Sequence, residues 1–311
     1  MADSFYMAGA KGKQIFVRKW GSEHPKSVIV IMHGMNEHSK RYSSLAECLN
    51  QRGHTVFAAD LRGHGKTADS IEKIGFLDEH GFQHIMEDIC ILIENVQKEY
   101  PKKPVFLIAH SMGSFIAQRF IQLYGNRIDG AVLVGSGGKR PDAKAGAFMA
   151  SVLKKWNGDK RSTFLEKLIF FGYNARFEKR TSYDWLSRDQ RIVDDYISDP
   201  YCAHVFPPSF YVQFLTLIQQ IAEPKNVNKV SNALPLLIIS GSQDPVGKYG
   251  KSVSKLVRQY EKHGMEDLKY TLYPNGRHEI LNELNKDEVM EDISNWLDMH
   301  RVDEQTVKKN T

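Results

Sequence analysis

Only three cysteines, Cys48, Cys90 and Cys202, occur in 311 residues, an odd number at wide spacing. That excludes a disulfide framework and a thiol metal cluster, and it fits buried, inert thiols in a reducing compartment. Long apolar runs are missing too. No stretch approaches the roughly 18 residues that a membrane helix requires, so a spanning protein is not expected. The first residues, MADSFYMAGAKGKQ, lack a basic head leading into an apolar core and a cleavage site of small residues. No secretory signal is read there, and a cytoplasmic protein is expected.

Neither sign of charge dominates, since 42 Lys and Arg stand against 37 Asp and Glu for a formal net of +5. With no basic block interleaved with aromatics, nucleic acid is not an expected partner. Internal repeats and low-complexity tracts are also absent, which excludes solenoids and flexible scaffolds. The composition, 41% hydrophobic and 25% charged, is that of an ordinary globular chain. Its length suits one large domain or a core carrying an insertion.

Short apolar runs bounded by turn residues alternate with stretches of helical period, the pattern of a parallel sheet with crossover helices. Strands are expected at 14–20, 28–32, 55–59, 105–109, 130–134, 236–239 and 269–273. Between 82 and 100, Ile85, Ile89, Leu92, Ile93 and Val96 recur at spacings of three and four, giving a helix one apolar face. Further helices are expected at 43–51, 112–124, 251–262 and 287–300.

The alternation stops near Pro141 and resumes near Leu234. We divide the chain into a core of residues 1–140 and 226–311 and a helical insertion over 141–225. The insertion holds 15 of the 33 aromatics in 85 positions, about twice the density of the rest of the chain. A lid over an apolar pocket would use that surface, with Phe148, Trp156, Phe164, Phe170, Phe171 and Phe177 lining a tunnel. The alternative is a subdomain whose aromatics pack on one another.

The strongest local pattern is VFLIAHSMGSF (105–115), a buried strand, a turn of small residues, then a helix. Ser111 sits at the turn. A nucleophile elbow holds its serine at such a bend and needs small residues two positions before and after it, here Ala109 and Gly113. The commoner pattern has glycine at the first position. A helix N-cap would also explain the serine by itself. A hydroxyl becomes a nucleophile only when a base removes its proton, which directs attention to later loops. PLLIISGSQDPV (235–246) puts Asp244 just past a strand, and YTLYPNGRHE (270–279) puts His278 after the last one. The order Ser, Asp, His is the one that accompanies this elbow.

An attacked ester carbonyl develops negative charge, so amide donors must await it. The strand 28–32 runs into HGMNEH (33–38), and the amides of Met35 and Met112 are the expected oxyanion donors. His33, His38 and His64 lack the spacing of a helical zinc pair, so no metal is expected from them. The run Gly135 to Gly138 lacks the lysine and threonine of a phosphate loop and reads as a bend after a strand.

These stretches, with HGMNEHSKRY (33–42), DLRGHGKT (60–67), AHSMG (109–113), GSQDPVG (241–247) and GRHEILNE (276–283), resemble α/β-hydrolases grouped with monoacylglycerol lipases and lysophospholipases. The similarity spans essentially the whole chain. It implies an α/β-hydrolase fold with a mostly parallel sheet of about eight strands and a helical cap. It further implies a Ser111, Asp244, His278 triad, no cofactor, and a single-chain lipid ester as substrate. The cap stretches DWLSRD (184–189) and DPYCAHVF (199–206) look like those of bacterial lysophospholipase-like hydrolases. A short-chain or aryl carboxylesterase, a thioesterase, and a non-catalytic binding protein on the same fold are the alternatives. Transient contact of the cap with a membrane surface is compatible with catalysis. The sequence does not specify an oligomeric state.

Overall fold

The computed structural model describes residues 2–301. Its strands are β1 (Asp3–Ala8), β2 (Gln14–Trp20), β3 (Val28–Met32), β4 (Thr55–Ala59), β5 (Val105–His110), β6 (Gly130–Val134), β7 (Leu236–Gly241) and β8 (Leu268–Tyr273). They form one sheet in the order β1-β2-β4-β3-β5-β6-β7-β8. The pairs β1/β2 and β2/β4 are antiparallel and all others parallel. The helices are α1 (Ser43–Gln51), α2 (Gly81–Glu99), α3 (Met112–Tyr124), α4 (Ala143–Asn157), α5 (Thr163–Ile169), α6 (Gln190–Ser198), α7 (Pro208–Ile221), α8 (Pro224–Val227), α9 (Lys251–His263) and α10 (Lys286–His300). No described helix is long and apolar enough to cross a membrane.

Strand alternation divides the core between the two faces of the sheet. Val28, Val30 and Met32 of β3 pack on one side with Val105, Leu107 and Ala109 of β5. Ile29, Ile31, Phe106 and Ile108 pack on the other. The apolar stripe of α2 covers the first face, joined by α3, α7 and α9. The second face is covered by α1 and α10. Both faces being covered explains why the central strands read as continuous apolar runs.

The sequence-based reading has no counterpart to β1. Of DSFYMA only Met7 is buried, so no apolar run marks it. It forms by hairpin pairing to β2, with Asp3 opposite Lys19 and Ala8 opposite Gln14.

Helices α4 to α8 lie between β6 and β7, and α7 joins the main core through Phe210, Phe214, Leu217 and Ile218. Phe214 stacks on Phe82 of α2 at 5.6 Å and meets Phe115 of α3 edge-on at 5.9 Å. The sheet also fixes where chemistry can occur. From β3 the chain moves outward to β4, then crosses back to β5 on the other side of β3. The carboxyl ends of β3 and β5 therefore border a topological switch point, where open α/β sheets build their sites.

Candidate active site

Ser111 follows β5 with φ 51° and ψ −120°, a conformation costly for a residue with a side chain. Helix α3 starts at the next residue. A Cβ at Gly113 would lie 2.5 Å from the carbonyl oxygens of both Met32 and His33, so only glycine lets α3 approach the end of β3. Ala109, the departure at the elbow, is fully buried and paired between Met32 and Leu133 without difficulty.

His278 and Asp244 arrive from the ends of β8 and β7. Ser111 Oγ–H donates to His278 Nε2 at 2.8 Å, and His278 Nδ1–H donates to Asp244 Oδ1 at 3.0 Å. Asp244 is fully buried and also accepts from the Val246 amide at 2.8 Å and from Ser240 Oγ at 3.0 Å. Burial by itself would raise the Asp244 carboxyl, but the charge and hydrogen bond of His278, with these two donors, hold it below the usual range. That carboxylate fixes the imidazole tautomer and leaves Nε2 free to accept the serine proton.

Gly135, at the bend after β6, lets the imidazole in. A Cβ there would lie 3.1 Å from His278 Cε1, at a φ of 59° that itself favours glycine. The reading of 135–138 as a simple bend therefore missed a contact with the site, because 143 residues separate the two positions in the chain. Segment 184–189 holds the same loop from above. Its Trp185 carbonyl accepts from the His278 amide at 3.3 Å, its Leu186 carbonyl accepts from the Glu279 amide at 2.7 Å, and the Trp185 ring lies 5.1 Å from that of His278.

The loop after β3 is braced by a buried carboxylate. Glu37 accepts from the Gly34 amide at 2.6 Å, Tyr42 Oη at 2.8 Å, His110 Nδ1 at 3.0 Å and Arg41 at 3.2 Å. Arg41 in turn makes a two-point pair with Glu279 at 2.5 and 2.7 Å. Burial would push the Glu37 carboxyl up, yet His110 and Arg41 hold it well below the carboxylate range. His110 is buried as well, and Glu37 raises its pKa despite that burial. Met35 and Met112 both face the cavity beside Ser111. Met112 is the first residue of α3, where amides have no partner one turn back in the helix.

The cavity above Ser111 has a volume of about 360 Å³, within the range of small-molecule sites. Of the aromatics expected to line it, Phe170 does; it stacks on Trp185 at 5.9 Å and meets Tyr173 edge-on at 5.4 Å. Phe148, Trp156, Phe164 and Phe171 are more than half exposed, and neither they nor Phe177 line it. For Phe148 and Trp156 the cause is visible on α4. Ala143, Ala147 and Ala150 form its inner face against the core, which lets it approach α7 closely and turns its large side chains outward. The walls are instead Phe115, Tyr173, Trp185, Tyr196, Phe214 and Ile218, with their neighbours.

Comparison with known proteins places the chain in a family. The profile of the family described as serine aminopeptidase, S33 matches residues 23–285. The chain belongs to that family of hydrolases. The monoglyceride lipase of Rattus norvegicus is 30% identical over 90% of this chain and 88% of its own. The monoacylglycerol lipase of Mycolicibacterium smegmatis is 27% identical over 94% of this chain and 96% of its own. Among solved structures, a thermostable carboxyl esterase from Bacillus coagulans, crystallised with glycerol, superposes with a TM-score of 0.87. It is 31% identical, and the match covers 97% of this hydrolase and 99% of that chain.

Proposed function

We propose that this hydrolase cleaves single-chain lipid esters, monoacylglycerol foremost and lysophospholipid second, through an acyl-enzyme on Ser111. The observation that carries the reading is the Ser111, His278, Asp244 line of hydrogen bonds opening into a largely apolar cavity. Ser111 Oγ attacks the ester carbonyl while its proton passes to His278 Nε2. The oxyanion that forms is held by the Met35 and Met112 amides. His278 then donates the proton to the departing alkoxide, and the bond between the carbonyl carbon and the leaving oxygen breaks. Water repeats the sequence on the acyl-enzyme, returning Ser111 and releasing the fatty acid. These steps use side chains and amides of this chain alone.

The lid role of 141–225 belongs to the same proposal. So does brief contact with a membrane surface, supported by the exposure of Phe148, Trp156, Phe164 and Phe171 and of Lys154 and Lys155, which precede Trp156 in the chain. A cytoplasmic setting is supported by the three unpaired thiols. The test is a hydrolysis panel of p-nitrophenyl esters from acetate to palmitate alongside monoacylglycerol, lysophosphatidylcholine and acyl-CoA. The proposal expects monoacylglycerol to give the highest kcat/KM. Acetate as the best substrate, with every longer chain worse, makes the protein a short-chain esterase instead. Failure of Ser111 to react with a fluorophosphonate probe removes the catalytic reading altogether.

A further inference from the structure

After α6 the chain folds back over the loop that follows β3, and three donor side chains from these two stretches converge. His38 Nε2, an Asp199 carboxylate oxygen and Cys202 Sγ all lie within 4.8 Å of one another. His38 and Cys202 are buried and Asp199 is half-buried. The carboxylate is already oriented, because Asp199 Oδ1 accepts the Tyr201 amide at 2.8 Å while Oδ2 accepts from His38 Nε2 at 3.0 Å. His38 and Asp199 also line a groove of about 510 Å³ separate from the cavity above Ser111, which gives a hydrated ion a route in.

The charges around the cluster favour a cation. Burial pushes the Cys202 thiol up, and of the charged groups acting on it Arg41 opposes Asp199, Glu37 and Glu279, one guanidinium against three carboxylates. Even with His110 protonated against Glu37, one negative charge is left over before the thiol ionises. The donor set, one imidazole nitrogen, one carboxylate oxygen and one thiol sulfur, is too soft for magnesium or calcium and suits zinc. Donors of a tetrahedral zinc ion stand about 3.5 Å apart, so a contraction of roughly an ångström closes the site.

We propose that His38, Asp199 and Cys202 form a three-donor site for a divalent transition-metal ion of the zinc class, with water in the fourth position. Binding breaks the Cys202 S–H bond, forms the sulfur–metal bond and releases that proton to solvent. The His38 proton moves from Nε2 to Nδ1, so Nε2 can ligate. The ion ties loop 33–38, which carries Met35, to segment 199–202. It thereby reinforces a link made next door, where the Asn36 side chain and the His204 backbone exchange hydrogen bonds of 2.7 and 2.8 Å. The sequence did not display this site, because His38 lies 161 residues from Asp199.

The experiment titrates Cd²⁺ into the full chain carrying Cys48→Ser and Cys90→Ser, so that Cys202 is the remaining thiol. Expected is a sulfur-to-cadmium charge-transfer band that saturates at one equivalent and is displaced by Zn²⁺. Affinity should fall at least tenfold in His38→Asn and in Asp199→Asn, and the band should vanish in Cys202→Ser. Excess Zn²⁺ should raise the thermal midpoint of the parent by several degrees and leave that of His38→Asn unchanged. Absence of the band overturns the proposal. So does a band whose affinity survives both His38→Asn and Asp199→Asn, since a lone thiol would then account for it. Should Cys202→Ser fail to fold, the comparison of the parent with His38→Asn and Asp199→Asn decides alone.

Discussion

Replacing Ser111 by glycine should stabilise the protein relative to replacing it by alanine, although both changes abolish the nucleophile. At φ 51° and ψ −120° the serine Cβ is held in a region that side-chain-bearing residues avoid. Such strain costs of order 1–3 kcal/mol. Ser111→Ala removes the hydroxyl and its bond to His278 but keeps the Cβ, so the strain remains. Ser111→Gly removes the same hydroxyl and relieves the strain, at the expense of about 0.5–1 kcal/mol in chain entropy. At the midpoints of these two ranges Ser111→Gly is more stable than Ser111→Ala by roughly 1 kcal/mol. Urea unfolding of the two variants, with m-values compared to confirm the same extent of exposure, measures that difference directly. Equal stability, or a less stable glycine variant, would refute the argument that the elbow stores strain to project its hydroxyl.

Gly113→Ala should be destabilising by about 1–3 kcal/mol and should lower kcat/KM, because its Cβ meets two backbone carbonyls at 2.5 Å. Gly125→Ala, whose nearest atom would be 3.9 Å away, is the neutral control for the same unfolding assay. Acidification should destabilise the fold between pH 6.5 and 4, since burial lowers His54 to about 4 and His64 to about 3. The unfolded chain binds these protons near 6.5 and the folded chain does not, so each histidine removes about 2 kcal/mol by pH 5. A flat unfolding free energy across that window in denaturant titrations contradicts the assignment. Phe170→Ala should reduce the preference for long over short acyl esters by about tenfold, the equivalent of about two methylenes. Phe148→Ala and Trp156→Ala should leave that preference unchanged in assays with dispersed esters, and the reverse ranking would restore the tunnel of exposed aromatics.

The central sheet is legible in the sequence because burial on both faces writes itself as short apolar runs. Thus 28–32, 55–59 and 130–134 end where β3, β4 and β6 end. β1 leaves no such trace. Its order depends on a partner strand rather than on its own apolar pattern, and Tyr6 is half exposed while packing edge-on to Phe16 at 5.2 Å. Between β6 and β7, composition gives the number of aromatics but not their direction. A face of alanines at 143, 147 and 150 decides that Phe148 points outward.

The same distinction runs through the site. Ser111, Asp244 and His278 each stand at a strand end, where local pattern and chain order suffice to bring them forward. Their supports do not, because Glu37 is 73 residues from His110 and Arg41 is 238 from Glu279. HGMNEHSKRY accordingly has two jobs that only the fold separates. Met35 faces the cavity, while Gly34, Glu37, Arg41 and Tyr42 tie the loop into a buried ionic network. The Gly34 amide, next to Met35 in this loop, is held by Glu37 rather than by a sheet or helix partner. The carboxylate of Glu37 supplies that restraint, and Arg41 and His110 keep it ionised despite its burial.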